Sequence, residues 1–203
     1  MNLESEIRRL LDVMPASGRM LTKIVSKSQQ SRIIDAPFPM PWNWDSRPIY
    51  INFDLWRRLS RPQQDLLILR AVSSLQGIKW FKPDLYQGVA LVGLLGLTVE
   101  LLQGDAIGTI ATGGLSAIAA SQIWRSNRSV QRQLDADEAA IQVALRRGYT
   151  EAEAAAHLLS AIETAAQLEG RPSLNFTELI RCQNLRAIAN LSPVGVPESI
   201  KQE

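Results

Sequence analysis

Cysteine occurs once, at Cys182, and histidine once, at His157. A single thiol excludes an internal disulfide and any cysteine-rich zinc site, and it suits a reducing compartment. Net charge is nearly absent as well, at +2 over 203 residues, which argues against a nucleic-acid partner. The opening stretch, MNLESEIRRLLDVM, puts acids and arginines where a secretory signal needs an apolar core, so no cleaved targeting segment is expected. Also missing are a Gly-x-x-x-x-Gly-Lys phosphate loop, a Gly-x-Ser-x-Gly elbow and any histidine at a recognisable spacing from Cys182. His157, inside AAAHLLS, reads as a packed or surface side chain and not as a metal ligand. Asp135, Asp137 and Glu138 sit together on one stretch, read as a solvated helix surface with one inward ion pair and not as a cation site.

The dominant feature is a run with almost no charge. Leu85 to Trp124 carries two charged residues, Glu100 and Asp105, in forty positions. A bilayer crossing takes roughly twenty apolar residues, and Gln103-Gly104-Asp105 divides this run into two pieces of about that length. The second piece repeats small residues every fourth position, at Gly104, Gly108, Thr112, Ser116 and Ala120, a ridge against which a helix can pack. The expectation is a transmembrane helical hairpin over 85–124, the alternative being a buried hairpin of a helical protein outside the membrane. Lys79 and Lys82 before it, and Arg125, Arg128 and Arg132 after it, place both termini on the cytoplasmic side.

The flanks are mostly helical. Residues 1–84 form an N-terminal cytoplasmic part that holds 13 Lys/Arg against 8 Asp/Glu. Within it Leu3, Ile7, Leu10, Leu11 and Met14 share one helix face, suited to a core or to a membrane surface, and a short strand is expected at Pro48–Phe53. Trp42, Trp44, Trp56 and Trp80 suit an interface or a core equally. Leu59–Gly77 is a capped helix. Residues 125–190 read as a helical part packing on 47–84, with two alanine-rich helices joined at Arg147-Gly148-Tyr149-Thr150: glycine ends the first, and Thr150 with Glu153 caps the second. Residues 191–203, with Pro193 and Pro197, read as a flexible tail.

A strand, a helix, an apolar hairpin, then Arg-x-x-x-Ala-Asp-x-x-Ala and Gly-Tyr-Thr-Glu-Ala resemble the membrane zinc metallopeptidases of the HtpX and CAAX prenyl endopeptidase type over about residues 47–168. The resemblance implies a fold that is mainly α with a short β element, a gluzincin-like helical domain interrupted by the hairpin. It also implies where a zinc site would be. The His-Glu-x-x-His positions fall on Arg70, Ala71 and Ser74, the later glutamate falls on Gln133, and only the Asp of the Ala-Asp pair is kept, as Asp137. Arginine, alanine, serine and glutamine supply neither a zinc ligand set nor a base for metal-bound water. Those four positions are then vestigial: no catalytic residue, metal or cofactor is expected.

The function implied is that of a non-catalytic pseudopeptidase, working as a scaffold, adaptor or assembly factor for an unidentified membrane protein or complex. Its setting is a lipid bilayer, the plasma or thylakoid membrane, a placement suggested by likeness to uncharacterised cyanobacterial and plastid proteins. The alternative is an enzyme or transporter component with a site not visible in the sequence, around Glu100, whose carboxylate lies in an apolar segment. One contact is specific enough to test. An arginine in a former ligand position would meet a carboxylate aimed at it, so an Arg70–Asp137 ion pair is expected to clasp two helices, with Gln133 donating a supporting hydrogen bond.

Overall fold

Apolar residues at helical spacing need partners, and in the computed structural model, which describes residues 2–38, 46–77 and 130–192, they find them in one another. These described residues belong to a single packed unit. It is mainly helical, with a small three-stranded sheet.

Helix α1 (Leu3–Val13) starts at Asn2, whose side chain accepts the Glu4 N–H at 3.1 Å. It stops before Pro15, which starts the short α2 (Ala16–Leu21). Strand β1 (Thr22–Ser26) follows directly and pairs in parallel with β3 (Arg47–Ile51), while the two-residue β2 (Ile34–Asp35) pairs antiparallel on the other side of β3. The strand order β1-β3-β2 leaves β3 central, with Ile49 and Ile51 buried. The strand expected at Pro48–Phe53 thus forms as β3 at Arg47–Ile51, whereas no strand was expected at β1 or β2. Neither is stable alone; the sheet forms only because β3 gives both a partner.

Asn52 then does two jobs. Its Oδ1 caps α3 (Phe53–Trp56), and its Nδ2 donates to the carbonyls of Ser28 and Gln30 at 3.0 and 2.8 Å, pinning the turn after β1. The central helix α4 (Arg61–Gln76) has Pro62 in its first turn, and Gln63 accepts the Ser60 N–H at 2.9 Å. Leu66, Ile68, Leu69, Val72 and Leu75 are all buried, so α4 is covered on most sides. It packs on α1 and α2 and on α5 (Val130–Leu145) and α6 (Glu151–Leu168); α7 (Phe176–Ile188) lies against α5 and α6. Between α5 and α6, Gly148 adopts φ +94°, and Thr150 and Glu153 form the reciprocal cap. Alanines at 140, 144, 154, 155 and 161 are buried, which lets these helices approach closely.

The integral membrane architecture expected from the sequence is corrected. Among the described residues no helix is long and apolar enough to cross a membrane. The longest, α6, has 18 residues and includes Glu151, Glu153 and Glu163. The apolar faces of these helices meet one another in a shared core. The hairpin assigned to 85–124 lies outside the described residues, as do Glu100, Trp42, Trp44, Trp80 and the tail from 193 onward.

Candidate functional site

A carboxylate placed where water cannot reach must be matched by charge and by hydrogen bonds, or it destabilises the fold. Asp137 is such a group, with no exposed surface. It lies on the inward stripe of α5 with Leu134, Ala140, Ile141 and Ala144, and its neighbours Asp135 and Glu138 are exposed. The acidic stretch is therefore split by helical geometry. Asp135 accepts from Gln131 at 2.7 Å on the surface, while Asp137 faces arginines.

Two guanidinium groups meet Asp137. Arg181 of α7, itself 6% exposed, grips it with a two-pronged fork, Nε to Oδ2 at 2.7 Å and Nη2 to Oδ1 at 2.8 Å. Such planar bidentate contact is the strongest form of this pairing. Arg70 of α4 approaches from the other side, its Nε 3.5 Å from Oδ1, and its Nη2 donates to Oε1 of Gln133. Gln133 thus serves the arginine as an acceptor, in place of the donor role expected for it. The second guanidinium is less comfortable than the first. Burial and the neighbouring charge of Arg181 push the Arg70 group down to about 10 against the pull of Asp137, and its buried Nε has no hydrogen-bond partner. For Arg181, burial works against the charged form, but the attraction and hydrogen bonds of Asp137 outweigh it and hold the group above its ordinary value.

The remaining sequence candidates separate. Ala71 is buried in the core, and the Ser74 hydroxyl donates to the Ala71 carbonyl at 2.8 Å within its own helix. His157 is half-buried, with its ring edge-on to Tyr149 at 6.1 Å. Cys182 is buried beside Arg181 on α7, and burial pushes its thiol up to about 11, so it is held as an unreactive thiol. Among the described residues no group of three His, Cys, Asp or Glu side chains is placed to hold a metal ion. Arg181 was missed because its partner lies 44 residues away; the only signal was an arginine on the apolar face of a helix, beside Ile180 and Leu185.

A second polar cluster ties α1 to α4. Glu6, 3% exposed, accepts from Nε and Nη2 of Arg9, with Trp56 Nε1 at 3.4 Å and Arg61 at 3.8 Å. Arg9 also reaches Asp65 and, at 2.8 Å, Gln64. Asp65 accepts the Tyr149 hydroxyl at 3.1 Å. Arg9, Asp65 and Tyr149 border a cleft of about 370 Å³, together with Asp12, Arg147 and Gly148. Burial and the Asp65 carboxylate push the Tyr149 phenol up to about 12, so it acts there as a hydrogen-bond donor and not as a base.

Residues 8–149 match the family described as "Protein of unknown function (DUF3318)", and the chain belongs to that family. It is also similar to a protein of Synechocystis sp. named thylakoid membrane protein slr1949, with 27% identity over 165 residues, covering 79% of this chain and 76% of the relative. No solved structure matches. These findings correct the resemblance to HtpX and CAAX prenyl endopeptidases. The matching family is a different one, and it spans most of the residues that carried the likeness. With that kinship goes the reading of Arg70, Ala71, Ser74 and Gln133 as relics of a zinc site, and of the chain as a pseudopeptidase. The cause is physical. Small residues and one inward acid on α5 meet the packing needs of α4 and α7, and Gly-Tyr-Thr-Glu meets those of a tight helix junction. Both needs recur in unrelated helical proteins.

Proposed function

We propose that this member of the DUF3318 family acts at a membrane without chemistry of its own, as a scaffold, adaptor or assembly factor that holds a membrane protein or complex. The observation that carries the reading is the use made of Asp137. Both of its oxygens are committed to Arg181, and the cluster joins α4, α5 and α7. The most deeply buried carboxylate among the described residues is thus occupied in holding helices together. The membrane setting is supported by the name of the Synechocystis relative.

Affinity purification of the full chain from gently solubilised membranes tests this. The expected result is stable, near-stoichiometric recovery of one membrane complex. Recovery of the chain alone, across several mild detergents, would overturn the reading.

A further inference from the structure

The cleft beside Tyr149 is walled by the end of α1, by α4 and by the turn between α5 and α6. Four of its lining residues are charged, and two of these are spent on structure. Arg9 pairs with Glu6 and Asp65, and Asp65 also accepts the Tyr149 hydroxyl. The other two, Asp12 and Arg147, carry opposite charges and line the same space, yet neither takes part in an ion pair among the described residues.

Both groups are placed by the same helix end. Asp12 stands in the last turn of α1, where the helix dipole is negative and a carboxylate is disfavoured. Arg147 is pinned there: its Nη2 donates to the Met14 carbonyl at 3.1 Å, one residue past the end of α1. An acid at the wrong end of a helix, with no ion-pair partner, breaks a local rule without a gain to the fold, and such breaks mark functional positions. The rest of the wall includes Val13 and the buried Leu69, an apolar surface beside the two charges.

We propose that this cleft binds a free aliphatic amino acid as its zwitterion. The ammonium meets Asp12 at the negative end of α1, the carboxylate meets the guanidinium of Arg147, and the side chain lies against Val13 and Leu69. A ligand of one charge would satisfy one of the two groups and leave the other unmatched, whereas a zwitterion satisfies both. Arginine suits a carboxylate, and a cation is favoured at a helix C-terminus. The volume, about 370 Å³, falls at the small end of ligand sites and suits a molecule of this size better than a nucleotide cofactor.

Calorimetric titration of the full chain with L-leucine tests this. Saturable binding below about 1 mM is expected. N-acetyl-L-leucine lacks the ammonium and L-leucinamide lacks the carboxylate, so each should bind at least about 10-fold more weakly. Asp12→Asn should weaken leucine by a similar factor, with no further loss on N-acetylation. Arg147→Gln, which keeps a donor for the Met14 carbonyl, should do the same for the amide. Unchanged unfolding midpoints would show that the variants fold, and the three compounds on the unaltered chain test the site even where one variant does not. No saturable binding of leucine, or equal binding of all three compounds, would overturn the proposal. So would losses in the variants that do not follow the missing charge. Failure of all three compounds while Asp12→Asn lowers recovery of a membrane complex would give the cleft to a protein partner, and the amino-acid site would fall.

Discussion

Two buried carboxylates divide the molecule, and they are held in different ways. Glu6 in the N-terminal part is paired chiefly with Arg9, three residues along the same helix, and that arginine passes the contact on to α4. Asp137 in the C-terminal part is paired with Arg181 and Arg70, which come from two other helices. One pair is local and trims a helix; the other exists only when three helices have assembled. A local pair forms and breaks at modest cost, whereas a cross-helix pair is cooperative with the whole fold.

The largest expected effect comes from removing the carboxylate of the cross-helix cluster. Asp137→Ala leaves two guanidinium groups facing each other, that of Arg181 buried, and should cost about 4 kcal/mol of stability, read by denaturant unfolding. A loss below about 1 kcal/mol would show that the cluster is better solvated than its burial indicates. The two arginines then sharpen the contrast between partners. Arg181→Ala should cost about 3 kcal/mol, because it strands Asp137, while Arg70→Ala should cost about 1 kcal/mol, since it removes a repulsive neighbour along with a weak bond. Equal losses would mean that the fork of Arg181 is not the main grip.

Packing gives an intermediate case. Gly18→Ala drives a methyl group into Val72 and should destabilise by about 2 kcal/mol, with a companion Val72→Ala change recovering part of that loss. Additive losses in the double variant would place the clash elsewhere.

The local pair gives the smallest effect and a pH signature. Burial works to raise the Glu6 carboxyl, but the hydrogen bonds and charge of Arg9, with Trp56 and Arg61, outweigh it and hold the group below its usual value. A carboxyl lowered on folding contributes stability that is complete above its unfolded value, about 4.3, and is lost as pH falls through the folded value. Glu6→Gln should therefore cost about 1 kcal/mol near neutrality and flatten the stability curve below about pH 5. An unchanged acid limb would assign that limb to other groups.

Local rules are legible in the chain where local physics dominates. The amphipathic α1, the Gly148 turn and the Thr150–Glu153 cap all follow from residues within a turn or two of one another. Strand β3 shows through its alternating Ile49 and Ile51, but β1 and β2 do not, because a two- or five-residue strand depends on the neighbour that pairs with it. The candidate site is half legible. Arg70, Gln133 and Asp137 were singled out through a resemblance that the family match overturns, and Arg181, which makes the two-pronged contact with Asp137, needed the position of α7 to be found.

The sequence by itself determined the longer helices, the cap at Thr150 and the apolar face of α1, since these are set by backbone hydrogen bonds and side-chain spacing over a few residues, while the short α2 and α3 were not expected. Tertiary structure alone decided which arginine holds Asp137, that Glu6 is shielded while Met20 is bare, and that α2 closes on Val72. Those outcomes depend on helices meeting across tens of residues, where the cost of burying charge and the fit of small side chains choose among arrangements that local sequence leaves equal.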